Sequence, residues 1–253
     1  MAKSKKKYNE LKQEVPLQMK LFQFLEESDQ QTSDYSQSVE LYDFMPKYVW
    51  DRRTETDAAS TLPIVMREFE CRGVKRLLAI HPAGLINPET RETKYFYPGA
   101  REQLLEEVLR KLAVDGGGKF FDNQAGIAFS LYQIRMEMEK HNHSISHNQI
   151  RESLNILALT RMELISESNK KDKVIFSPIE NLGIGGEGDE TQTFVIFSPF
   201  VTQSILQTNF RLYNYTQVMS YRSSISRQLH RRLAHHFTQA SVANRYNILV
   251  STI

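Results

Sequence analysis

Leu131 to Leu159 reads LYQIRMEMEKHNHSISHNQIRESLNILAL, and the fold turns on how this stretch is read. Leu131, Ile134 and Met138 recur at helical spacing with charges between them, which predicts one helix ending at the polar run His141-Asn142-His143. Ser144 to Ser146 form a turn, and Ser146 is a good N-cap for a second helix. That helix carries Ile150, Leu154 and Leu157 on its inner face. Just downstream, 162–166 and 173–177 are strand candidates joined by the polar tip Asn169-Lys170-Lys171-Asp172. Upstream, Leu104, Leu105, Val108, Leu109 and Leu112 give a further amphipathic helix stopped by Gly116-Gly117-Gly118, then a short strand candidate at 126–130. Helix, strand, helix, turn, helix and hairpin is the order of a winged helix-turn-helix, so the expected class is α+β.

Farther out, residues 64–71 and 74–80 predict a hairpin about Arg72-Gly73, followed by a loop marked by Pro82, Gly84 and Pro88. The aromatics Tyr42, Phe44, Tyr48 and Trp50 signal where packed structure begins. On the C-terminal side, 181–190 reads as a glycine-rich loop, 192–197 as a strand and 199–207 as a short helix. Residues 216–241 read as one long helix, with Ile225, Leu229, Leu233 and Phe237 on one face and Arg227, Arg231 and His235 on the other. The β-rich segment 246–253 ends the chain. The expected division is a disordered tail at 1–40, a first winged-helix domain with N-terminal strands at 41–198, and a long basic helix leading into an incomplete second winged-helix-like unit at 199–253.

Charge is polarised along this order. From Thr191 to the end there are six arginines and no acid, so the last 63 residues sum to +6 and the first 190 to −4. A segment that cannot neutralise its own arginines suits an external polyanion, and nucleic acid is the commonest one; a solvated helix face is the plainer alternative. The lone Cys71 allows no internal disulfide, and no apolar run is long enough for a signal peptide or a membrane span. A reducing bacterial cytoplasm, without membrane attachment, is the expected setting.

The outer face of the second helix of the turn offers Asn148, Gln149, Arg151, Glu152 and Asn155. Asparagine, glutamine and arginine carry the paired donors and acceptors that match base edges in the major groove. Lys170 and Lys171 at the wing tip suit phosphates, as do Arg227, Arg231, Arg232 and His235 on the long helix. A winged helix that packs only against protein would look the same. In the tail, Gln18-Met19-Lys20-Leu21-Phe22 resembles the short peptide by which bacterial proteins dock on the replicative sliding clamp, with Leu21 and Phe22 entering an apolar pocket and Gln18 bonding at its rim; an anchor packing on this chain's own domain is the other reading.

Catalytic readings find little support. Gly116-Gly117-Gly118-Lys119 is followed by Phe120 and has Ala113 where a phosphate-binding loop needs its first glycine. His141, His143 and His147 fall in a helix-to-helix turn with Asn142 between the first two, a poor match to a metal site or a nicking enzyme's histidine pair. The expectation is a non-enzymatic protein without cofactor or metal.

Tyr97-Pro98-Gly99-Ala100-Arg101-Glu102, Leu109-Arg110-Lys111-Leu112-Ala113 and Ile150-Arg151-Glu152-Ser153-Leu154 resemble the first winged helix of theta-type plasmid replication initiators, of the winged-helix Rep or RepA kind. Residues 227–240 resemble the segment leading into their second winged helix. The resemblance implies a protein that binds repeated double-stranded sites at an origin, helps to open the duplex, forms homodimers, and recruits the host helicase, host initiator and clamp. A winged-helix transcriptional repressor would share residues 100 to 180. If the tail peptide docks on the clamp, Phe22→Ala reduces capture of this chain on immobilised clamp while leaving DNA binding unchanged; unaltered capture would remove the docking reading.

Overall fold

In the computed structural model, residues 35–38, 40–50, 55–56, 64–71, 73–166, 173–185, 192–206 and 211–236 are described. The tail peptide Gln18, Met19, Leu21 and Phe22, the wing-tip Lys170 and Lys171, and the segment 246–253 lie outside them. The chain is α+β with antiparallel sheets, as expected. Among the described residues no helix is long and apolar enough to cross a membrane.

Strand β1 (Tyr35–Ser38), helix α1 (Glu40–Phe44) and the short strand β2 (Glu55–Thr56) are followed by strands β3 (Val65–Cys71) and β4 (Val74–His81), the predicted hairpin. The expected loop beyond it is instead a second hairpin, β5 (Ala83–Ile86) and β6 (Thr93–Phe96), whose turn is held by Asn87 Oδ1 accepting from the Glu89 amide at 2.9 Å. Helix α2 (Ala100–Leu112) follows, with Glu102 accepting from the Gly99 amide at 2.8 Å, and it stops before Gly116 to Gly118. Strands β7 (Gly118–Phe121) and β8 (Gln124–Ser130) meet at Asp122-Asn123, both at positive φ, which matches a tight hairpin. Then come α3 (Leu131–Lys140), α4 (His147–Leu159), β9 (Arg161–Ser166), β10 (Lys173–Phe176), β11 (Ile179–Ile184), β12 (Gln192–Phe197) and α5 (Pro199–Leu206).

The strands form two four-stranded sheets, ordered β10-β9-β4-β3 and β11-β12-β8-β7, and a smaller three-stranded one, β2-β6-β5. The β9–β10 hairpin is in the predicted register region, Phe176 opposite Met162, yet the other edge of β9 pairs with β4. The hairpin is therefore half of a larger sheet. One buried cluster runs from Tyr42 through Leu105, Ile134 and Leu154 to Val201 and Met219, so residues on both sides of the expected boundary near 198 share a core.

The C-terminal part departs most from expectation. A strand β13 (Arg211–Asn214) pairs with β1 (Tyr35–Ser38), and the single helix expected over 216–241 is two, α6 (Tyr215–Ser220) and α7 (Ser224–His236). Asn214 caps α6 by accepting from the Gln217 amide at 2.8 Å, and the serines at 220, 223 and 224 favour helix ends over interiors.

Helix α2 is buried nearly all round. Leu105, Val108 and Leu109 sit in the core, and so do Glu106, Glu107 and Arg110. The charged side is covered by α1 and α7. Arg110 grips Asp43 through two nitrogens at 2.5 and 3.2 Å, Lys47 lies 3.3 Å from Glu106, and Arg231 of α7 reaches Glu107 at 2.6 Å and Asp43 at 3.5 Å. Tyr48 donates to Glu106 and Tyr213 to Glu107. Burial pushes the Asp43 carboxyl up, but Arg110 and Arg231 outweigh it and hold it well below the usual range. Burial lowers Lys47 to about 8 in spite of Glu106.

These groups fix the pH response. The depressed carboxyls of Asp43 and Glu106 contribute stability above the unfolded carboxylate range, and that stability is lost progressively below about pH 4. Lys47 acts at the other end: between about pH 8 and 9.5 the unfolded chain holds a proton that the folded chain has lost, so stability rises with pH there. Urea titrations should show both slopes. In Lys47→Met the alkaline rise should vanish; a rise of unchanged size would refute the assignment.

Candidate nucleic-acid interface

The α3–turn–α4 unit is built by its caps. Ser130 and Ser146 each accept from the amide three residues on, at 3.2 Å, and Gln133 and Gln149 return the bond to the serine amides at 2.8 and 2.9 Å. Between the helices Asn142 adopts a left-handed conformation, the His143 amide donates to the Met138 carbonyl at 3.0 Å, and Ile145 is buried. Ile150, Leu154 and Leu157 face inward as predicted, joined by Ile156 and Ser153.

Ser153 Oγ donates to Glu102 at 2.7 Å, which fastens α4 to the first turn of α2. Arg101 bridges Glu102 at 3.0 Å and Glu152 at 2.5 Å. Glu152, the acid on the presumed reading face, thus carries a counter-charge that the sequence pattern does not reveal. Asn148 and Gln149 are exposed, and Arg151 and Asn155 half-buried. Gln149 spends its carbonyl on the cap, leaving its amide nitrogen outward. Arg151 makes no ion pair among the described residues.

The face is not open along its whole length. Asn148, Glu152 and Asn155 share a cleft with Leu85, Asn87, Glu89, Glu92 and Lys94 of the β5–β6 hairpin. Two glutamates on that wall face the asparagines across the cleft, which disfavours phosphate there. The hairpin's role went unread in the sequence, although the alternation Thr93-Lys94-Tyr95-Phe96 after Asn87-Pro88 carries the signal. At the start of β10, Lys173 is tied to Glu163 of β9 at 2.7 Å.

The arginine strip expected on the last helix is overturned. Arg227 and Arg231 are each 2% exposed, while Ile225, expected inside, is 51% exposed. Arg227 donates to the Tyr221 carbonyl at 2.5 Å and to Ser224 at 2.9 Å, and Arg231 meets Glu107 and Asp43. Arg232 lies 5.1 Å over the Phe44 ring, and His235 packs edge-on to that ring. Burial lowers the proton affinity of His235, so it is no cation near neutral pH. The helix is turned by roughly half a revolution from expectation, because buried guanidinium groups follow their counter-charges and those stand 124 and 188 positions away. Of the histidines in the turn, His143 bonds the Met219 carbonyl at 2.9 Å and His141 packs edge-on to Tyr215. Among the described residues no cluster of three candidate ligands could hold a metal ion.

No family model matches the chain, and no curated protein matches it. Among solved structures it is similar to the crystal structure of domains 2 and 3 of RctB in selenomethionine form, with a TM-score of 0.52 at 8% identity over 80% of this chain and 72% of that one. A second crystal structure of RctB domains 2–3 aligns with a TM-score of 0.49 at 11% identity, covering 79% of this chain and 70% of that one. The first likeness establishes a shared fold.

The buried Arg227 and Arg231 therefore act on stability. Arg231→Met leaves Glu107 with a single tyrosine partner in the interior and should cost about 3 kcal/mol in urea unfolding. The salt dependence of any DNA binding by the folded fraction should stay as it is; a slope reduced by about one phosphate would return Arg231 to the surface.

Proposed function

We propose that this chain is a replication initiator that binds duplex DNA through α4. The fold shared with domains 2 and 3 of RctB, a replication initiator, supports this reading. The observation that carries the reading is the capped helix-turn-helix with Asn148, Gln149 and Arg151 at the outward N-terminal end of its second helix, where such motifs contact base edges. Helix α4 is followed by the β9–β10 hairpin, in winged-helix order, and Lys170 and Lys171, between those strands in sequence and outside the described residues, would contact phosphate. Asn155, in the cleft beside the β5–β6 hairpin, stands away from this approach.

On this reading the DNA is a set of repeats at a plasmid or similar origin. Binding promotes opening of the adjacent duplex, and the helicase, host initiator and sliding clamp are recruited by protein contacts, without catalysis by the chain itself. Homodimers would be the form not engaged on the origin. The exposed β3 and β10 edges of one sheet offer strands for such pairing.

The test is a salt-titrated gel shift with direct repeats from the encoding replicon against scrambled DNA of the same composition. Preference for the repeats, lowered about tenfold by Arg151→Ala with thermal stability intact, supports the proposal. Equal affinity for both DNAs defeats it. Preference for a single palindromic operator instead would favour a transcriptional regulator.

A further inference from the structure

The sheet β11-β12-β8-β7 has one face in the core and one toward solvent. Its register puts Lys119, Gly126 and Ile196 in one row, of which only Lys119 is exposed, Ala128, Phe194 and Gly183 in the next, and Ser130 with Gln192 in the third. Phe121, opposite Gln124, begins the same face. Two of its glycines have a specific role. A Cβ on Gly183 would overlap the Phe194 ring, and one on Gly126 would meet Phe121 Cδ2 at 3.0 Å. Each phenylalanine thus lies down on a glycine, and the rings sit 6.1 Å apart at 34°.

Phe194 nevertheless remains 41% exposed. A ring laid flat across a sheet keeps its outer face free. Next to this pair Lys119 stands exposed and makes no ion pair among the described residues. It lines a cleft with Ala128, Ser130, Tyr132, Gln133 and Gln192. Tyr132 is 44% exposed, with the Arg135 guanidinium 5.8 Å from its ring. Asp122, in the turn, and Glu139, paired to Arg135 at 3.2 Å, are carboxylates on the border.

Flat aromatic surfaces, an unpaired cation and outward side-chain amides are what an unstacked nucleotide chain needs: rings for bases, charge for phosphate, amides for base edges. A duplex offers no free base faces to such rings. We propose that this sheet face, with Phe121, Phe194, Lys119, Gln192 and Tyr132, binds single-stranded DNA. The inference deepens the initiator reading and rests on it for its purpose, because opening an origin exposes a strand that must be held apart from its complement. The face is separate from Asn148, Gln149 and Arg151, so one chain has a surface for each form of DNA.

The experiment uses the full chain, a labelled oligothymidylate of about twelve nucleotides and the corresponding duplex, followed by fluorescence anisotropy across a salt series. Wild type should bind the single strand more tightly than the non-specific duplex. Phe194→Leu, which keeps the apolar cover over Gly183 but removes the ring, should weaken single-strand binding about tenfold. Lys119→Gln alters no packing and should reduce the salt slope by about 0.7. Bromodeoxyuridine substituted into the oligonucleotide should cross-link to Phe121, Phe194 or Tyr132. Absence of single-strand binding, or affinity unmoved by both variants, overturns the proposal, as does concentration-dependent self-association that Phe194→Leu abolishes, since a second copy would then be the occupant. Repeat binding that survives while single-strand binding is absent overturns this inference alone; single-strand binding without repeat preference overturns the initiator reading and leaves the single-strand site on the sheet face standing.

Discussion

Asp43, Glu107 and Arg231 form the junction on which the rest of the molecule depends. They belong to α1, α2 and α7, segments far apart in sequence, and each is buried. Removing an ion from water costs several kcal/mol even after the protein relaxes, so a buried charge fixes where its partner must lie. Arg110 binds the same Asp43, and Gln228 donates to the Asp43 carbonyl. Helix α7 can therefore sit in few rotations on α2. The apolar contacts of the core are tolerant by comparison, and they leave the angular choice to these pairs.

That choice redistributes the charge of the molecule. Read along the chain, the last 63 residues are a positive block. In the folded chain two of its six arginines, Arg227 and Arg231, are buried, and Arg231 is neutralised by Asp43 and Glu107 of the acidic N-terminal part, so the polarity written in the sequence is partly spent on folding. Arg211 and Arg222 remain exposed, and further cations for a polyanion lie at Arg151 near the N-terminal end of α4 and at Lys119 of the second sheet. The same logic holds at α4, where Arg101 neutralises Glu152 and Glu102 holds Ser153. Helix α2 thereby orients both the C-terminal helix and the candidate reading helix.

Local order was legible in the sequence where the decisive forces are local. Ser146 as a cap, Ile150, Leu154 and Leu157 as an inner face, the 64–80 hairpin and strand 192–197 all rest on spacing or capping within a few residues. Of the β7–β8 hairpin the sequence reading holds only the second strand, at 126–130; the turn signal Asp122-Asn123 points to its partner β7, which directly follows the glycines that stop α2. The α7 face was misread for a different reason. Leu229 and Leu233 suggested a buried apolar stripe, but both are only half-buried, and the arginines beside them pack deeper. A periodicity argument ranks leucine above arginine for the interior and cannot know that two carboxylates wait there.

The geometry around α4 also narrows how a duplex could be read. The β5–β6 hairpin stands against the middle of the helix, with Glu89 and Glu92 across the cleft from Asn148 and Asn155. Phosphates are repelled from that side, and a groove-bound helix would approach by the residues outside the cleft, Gln149 and Arg151, with Asn148 at the cleft's N-terminal end. Asn155 lies two turns in, behind the wall. Base discrimination on the proposed reading should therefore concentrate in the first half of α4, with the carboxylates of the hairpin setting the angle at which DNA enters by excluding the alternatives. The acids that flank this helix then act as a guide for the duplex, in the way that Asp43 and Glu107 act as one for α7.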